Sequence, residues 1–93
     1  MKKTVEVEYV GIEDIQDIID DVYALMRDGH YVSFEMLKIS DNPRVSIVVM
    51  LGGWDSSRNY DYEYEFYVTD KEADVAEMNK CKTTLKNLLI DWE

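Results

Sequence analysis

One cysteine, one proline and one histidine stand among 93 residues, and each scarcity removes a class of function. The lone Cys81 leaves no internal disulfide and fits a reducing compartment. With one histidine and one cysteine, a zinc centre lacks its usual nitrogen and sulfur ligands. No apolar run approaches the roughly 20 residues of a membrane-spanning helix. The basic start "MKKTVEVEYVG" runs into charged residues where a signal peptide needs an apolar core. These absences predict a cytoplasmic chain. Positive charge is scarce as well: 10 Lys and Arg face 20 Asp and Glu, a formal net charge of -10. Direct nucleic-acid binding needs a basic footprint, and so does an anionic membrane surface. Neither is expected here. The complement of this chain is a basic protein surface, approached fast through electrostatic steering.

What is present describes a folded domain. The chain is 46% hydrophobic and 12% aromatic, enough for one modest core, so residues 1–93 are read as a single domain. Residues 4–10, "TVEVEYV", alternate and predict a first strand. Ile12, Ile15, Ile18, Ile19, Val22, Leu25 and Met26 then recur at helical spacing, with Gly29 as the stop. Residues 30–40 predict a second strand. Residues 44–51, "RVSIVVML", are apolar on both faces and predict a central third strand. In "NYDYEYEFYVTD", residues 59–70, tyrosine and carboxylate alternate, so successive side chains point to opposite faces. Burying unpaired carboxylates is prohibitively costly. Tyr60, Tyr62, Tyr64 and Phe66 are therefore expected inside, with Asp61, Glu63 and Glu65 as an outward row. Thr69 and Glu72 form a T-x-x-E capping box before a last helix whose buried stripe is Val75, Met78, Cys81, Leu85, Leu88, Leu89 and Trp92. The order β-α-β-β-β-α predicts a two-layer α+β domain. Its four-stranded, mostly antiparallel sheet carries both helices on one face.

Catalysis finds little support in the residues. His30 and Cys81 make a Cys–His pair arithmetically available, yet Cys81 lies on an apolar stripe where an inert thiol is common. His30 follows a helix-ending glycine and reads as a partly exposed loop residue. A paired-carboxylate hydrolase needs a cleft that so short a chain has little room for. Asp55, Ser57, Asn59 and Asp61 alternate like the start of a calcium loop. Tyr60 and Phe66, however, occupy the positions that need glycine and glutamate, and a turn-rich connection explains the pattern better. The expectation is a non-enzymatic chain without cofactor or metal.

The acidic surface is the informative feature. The first helix carries Glu13, Asp14, Asp17, Asp20, Asp21 and Asp28 against Arg27 alone. Lys80, Lys82 and Lys86 gather late in the last helix, where they complement its dipole. Carboxylates two positions apart on one strand face sit roughly 6.6–6.8 Å apart. Each such pair repels by about 0.6 kcal/mol in water before salt screening. Folding gains nothing from that row, whereas solubility and protection of a sheet edge do. A functional use is charge mimicry of a nucleic-acid backbone, held by a basic groove built for phosphates. Charge alone specifies poorly, so apolar anchors should accompany it. Trp54, beside Gly52 and Gly53, and Tyr67 are the candidates. Val48 and Met50 share the open sheet face with them, since Val45, Ile47, Val49 and Leu51 take the core side. The expected partner-binding set is Asp61, Glu63, Glu65, Tyr67 and Trp54, with Asp14, Asp17 and Asp21 from the first helix. A homodimer contact is the other use of such apolar surface.

In this combination of a tiny acidic α+β domain with "NYDYEYEF" and "DIQDIIDD" segments, the chain resembles the small acidic anti-CRISPR and anti-restriction inhibitors of phages. The resemblance is one of architecture and composition. It implies a non-enzymatic inhibitor that occupies the nucleic-acid-binding surface of a nuclease, in the host cytosol if phage-encoded. An immunity protein or antitoxin neutralising a basic toxin nuclease has the same build. A homo-oligomeric structural or accessory protein needs no charged partner.

Overall fold

The computed structural model describes residues 9–38 and 40–91. Their order is α1 (Ile12–Arg27), β1 (Tyr31–Leu37), β2 (Arg44–Met50), β3 (Tyr62–Tyr67) and α2 (Glu72–Asp91). The three strands form one antiparallel sheet in the order β1-β2-β3, so the apolar β2 is central, as its composition requires. The expected first strand lies mostly outside the described residues. Of it, Tyr9 and Val10 are described, and neither is in a strand. The Val10 N–H reaches the Thr69 carbonyl at 2.9 Å, beside the end of β3. Among the described residues the sheet is therefore three-stranded, and the fold is α+β with two helices.

α1 starts at Gly11, whose N–H donates to the Asp14 carboxylate at 3.1 Å. This is the returning half of a capping box, and it satisfies a donor the helix cannot. α1 stops at Gly29, whose φ of +96° suits a residue without Cβ. There the His30 N–H returns to the Leu25 carbonyl and the Gly29 N–H to that of Met26, a Schellman ending. At the start of α2 the anticipated Thr69–Glu72 box is replaced by another arrangement. The Thr69 hydroxyl accepts the Lys71 N–H and donates to Asp74 at 2.7 Å, so Asp74 takes the role expected of Glu72.

The core lies between the helices and one face of the sheet. Ile15, Ile18, Val22 and Leu25 of α1 meet Val75, Met78, Cys81, Leu85 and Leu88 of α2 over Val32, Val45, Ile47, Val49 and Phe66. Ile12, Ile19 and Met26 stay exposed. The helix therefore buries a narrower stripe than its apolar positions allow. Tyr62 and Tyr64 are half-buried on the core side, as expected, with Glu63 and Glu65 exposed. Tyr60 is the exception: it precedes β3 in the loop and is exposed. Cys81 is fully buried. Burial, together with the negative charges of Glu77 and Asp21, pushes its thiol up to about 12.

Candidate functional site

Both helices pack on one face of the sheet, and among the described residues no helix covers the other. The register places side chains there in rows. Glu35, Ser46 and Glu65 stand opposite one another, as do Ser33, Val48 and Glu63, and then Leu37, Arg44 and Tyr67. With strands about 4.8 Å apart, Glu35 and Glu65 flank Ser46 at roughly 10 Å from each other. The result is a shallow trough: a floor of Ser46 and Val48 on β2, with Ser33 and Glu35 of β1 along one side and Glu63 and Glu65 of β3 along the other. Glu35 belongs to this arrangement as fully as the two β3 glutamates. Its single charge in the apolar run "YVSFEML" gave no sign of it; only the pairing register of β1 on β2 brings it there.

An aromatic group closes one end of the trough. Trp54 packs on Tyr31 with ring centroids 5.1 Å apart and on Tyr60 at 6.3 Å, while remaining 59% exposed. Met50, directly opposite Tyr31, is fully buried at this end, contrary to its expected place on an open surface. The loop is held in position by polar contacts. Asp61 accepts the Leu51 N–H at 2.7 Å and lies 3.5 Å from the Arg58 guanidinium, which itself donates to the Leu51 carbonyl. The Gly52 N–H donates to Nδ1 of His30 at 2.9 Å, and Gly52 adopts a φ of +81°. His30 is thus a buried brace of the loop, where a partly exposed residue was expected. Asp55 organises the loop tip by accepting both the N–H and the hydroxyl of Ser57. These bonds hold its carboxyl below the usual range.

The eight residues singled out by sequence therefore have different standing. Glu63 and Glu65 lie on the trough wall, Trp54 at its aromatic end and Tyr67 at the opposite end. Glu63 has no partner among the described residues, and Glu65 has only Arg44 at 3.8 Å. Asp61 is occupied with the loop. On α1, Asp14 and Asp17 share Lys82 at 2.7 and 3.7 Å, and Asp21 pairs with Lys86 at 3.0 Å. Asp14 and Asp21 therefore face α2 and belong to the helix–helix contact. The two acid groups named in the sequence do not converge on one surface.

Two shallow hollows occur elsewhere. One, of about 420 Å³, is lined by Tyr64, Asn79, Lys80 and Thr84. In it the Tyr64 and Thr84 hydroxyls are bonded to each other. The other, of about 300 Å³, includes Ser40, Asp41, Thr69 and Asp74, where Asp74 is already committed to Thr69 and the Tyr67 N–H. Among the described residues no group of three His, Cys, Asp or Glu side chains is placed to hold a metal ion. No described helix is long and apolar enough to cross a membrane. No protein-family model matches the chain, and no curated protein is detectably similar to it in sequence.

Proposed function

We propose that this chain is a non-enzymatic acidic inhibitor whose helix-free sheet face occupies the basic nucleic-acid groove of a nuclease. The supporting observation is the trough. Glu35, Glu63 and Glu65 project from a face that no helix of the described residues covers, with exposed Trp54 and Tyr67 at its ends. Three carboxylates held roughly 7–12 Å apart on a stiff sheet offer Lys and Arg side chains a pre-arranged set of acceptors. The Ser46 and Ser33 hydroxyls between the glutamates can accept further N–H groups. Trp54 and Tyr67 supply the desolvated anchors that charge alone lacks. The net charge of -10 steers the encounter. Several anti-CRISPR inhibitors of this build occupy the DNA-binding cleft of an RNA-guided nuclease, and the same mode is proposed for this chain in the cytosol. A toxin nuclease neutralised by an immunity protein is met through the same chemistry.

The test is inhibition of DNA cleavage by a panel of basic nucleases, RNA-guided and restriction enzymes included, together with recovery of partners from lysate. At least one enzyme should be inhibited, with its nucleic acid competing for the site. The variant Glu35→Gln/Glu63→Gln/Glu65→Gln should associate more slowly and show a shallower salt dependence. Equal inhibition by that variant, or recovery of nothing except the chain itself, overturns the reading.

A further inference from the structure

Ile12, Ile19 and Met26 are spaced seven apart on α1, and all three are exposed. At 100° per residue they fall within about 40° of one another, and Tyr23 extends the same stripe. The four side chains are 44–66% exposed. Ile15, Ile18, Val22 and Leu25 are centred about 80° away, toward the core, and Asp14 and Asp21 face α2 from the far side of the helix. The stripe therefore lies on the flank of α1 turned away from α2. α1 packs on β1 and α2 packs on β3, so this flank rises above β1. Among the described residues β1 is an outer strand of the sheet. Met36, near its end, is 43% exposed.

We infer that this flank, the α1 stripe together with the outer edge of β1, is a self-association surface that takes a second copy of the chain about a two-fold axis. An edge strand with free backbone groups pairs readily with its own copy, and a two-fold axis makes that pairing antiparallel. The same axis sets the two α1 helices antiparallel, and helices seated over adjoining outer strands come within reach of the usual 8–10 Å packing distance. With Ile19 near the axis, Ile12 meets Met26 of the second copy and Gln16 meets Tyr23. Glu13 then falls beside Arg27. Arg27 is the only base on α1, and it has no ion-pair partner among the described residues of its own chain. The stripe itself is apolar, and on its outer rim two Glu13–Arg27 pairs of opposite charge flank one Asp20–Asp20 contact of like charge near the axis. Its exposed side chains with Met36 amount to roughly 500 Å² per copy, a large part of the roughly 800 Å² per partner in a stable interface. The strand edge and its flanks supply more.

This surface adjoins the trough, because β1 also carries Glu35, but the inference does not depend on the nuclease reading. Two chains of charge -10 repel at long range, so self-association should tighten as salt rises, whereas binding to a basic groove weakens. Sedimentation equilibrium of the full chain is the decisive measurement. A monomer–dimer equilibrium is expected that tightens between low and physiological salt. Ile19→Glu should abolish it while leaving the circular dichroism unchanged. Glu13→Arg and Arg27→Glu should each weaken it several-fold, and the two together should restore it, which holds even if Ile19→Glu fails to fold. Glu63→Gln/Glu65→Gln should leave the dimer intact. A wild-type chain that stays monomeric at high concentration, or a dimer untouched by Ile19→Glu and by both charge reversals, overturns the inference.

Discussion

Lys82 places its ammonium 2.7 Å from one oxygen of Asp14, while the other oxygen of the same carboxylate accepts the Gly11 N–H at 3.1 Å. A single side chain thus caps α1 and ties it to α2 across 68 residues of sequence. Both groups are largely buried, so the pair is screened less than a surface ion pair. Asp14→Ala loses the cap and leaves Lys82 with the more distant Asp17. It should lower stability by about 2 kcal/mol. Asp17→Ala, on an exposed side chain, should stay within about 0.5 kcal/mol of wild type. Urea unfolding of the two variants checks this, and equal losses would show that the pair is not the structural element described.

Cys81 predicts an alkaline signature. Burial raises its thiol to about 12 from an ordinary value of 9.0. The unfolded chain therefore ionises it first. The folded state keeps the full benefit of the neutral thiol below about pH 9 and loses it as pH climbs toward 12, by about 1.4 kcal/mol per pH unit. Cys81→Ala should be less stable at neutral pH because it leaves a small cavity. Its deficit should narrow by that slope above pH 9. Parallel stability curves for the two proteins would contradict it. In the native state the thiol should also react slowly with a thiol reagent, and quickly in denaturant.

Much of this architecture can be read from the chain, and the reasons are local. The tyrosine–carboxylate alternation of residues 62–66 fixes which faces that strand presents, because a period of two leaves little choice, and the mostly apolar stretch of residues 44–50 marks the central strand. The stripe Val75, Met78, Cys81, Leu85 and Leu88 is equally plain. What escapes is everything set by contacts distant in sequence. Asp14, Asp17 and Asp21 look like free surface acids until Lys82 and Lys86 arrive from the other helix. Glu35 looks like an isolated charge until the β1–β2 register sets it opposite Ser46. Met50 looks exposed until Trp54 and Tyr60 gather near its neighbour Tyr31. Spacing carries side-chain direction, but it does not carry the identity of the neighbour.

Asp61 and Glu63 make a direct comparison, because sequence treats them alike and structure does not. Asp61 accepts the Leu51 N–H and sits against Arg58, so Asp61→Ala should destabilise by about 1–2 kcal/mol. Glu63→Gln removes a like-charge repulsion along the strand and should be neutral or slightly stabilising. Thermal unfolding at low salt gives the largest contrast, since added salt screens the Glu63–Glu65 repulsion. A neutral Asp61→Ala would mean that its carboxylate does not hold the loop.

The Tyr31–Trp54 contact tests whether the aromatic end of the trough is built before any partner arrives. The rings lie 5.1 Å apart with planes tilted by 60°, an edge-oriented geometry that contributes beyond area alone. A loop tip that packs on a strand this way is restrained. Trp54 would then pay little ordering entropy on binding, which is what an anchor requires. A double-mutant cycle on Tyr31→Ala and Trp54→Ala should return a coupling energy of about 0.5–1.5 kcal/mol in the unbound protein. Trp54 also has to lose its near-ultraviolet dichroism when Tyr31 is truncated, because that signal depends on a fixed ring environment. A coupling near zero with an unchanged spectrum would leave Trp54 as a loose side chain. The binding anchor would then have to be sought in Tyr67, at the other end of the same face.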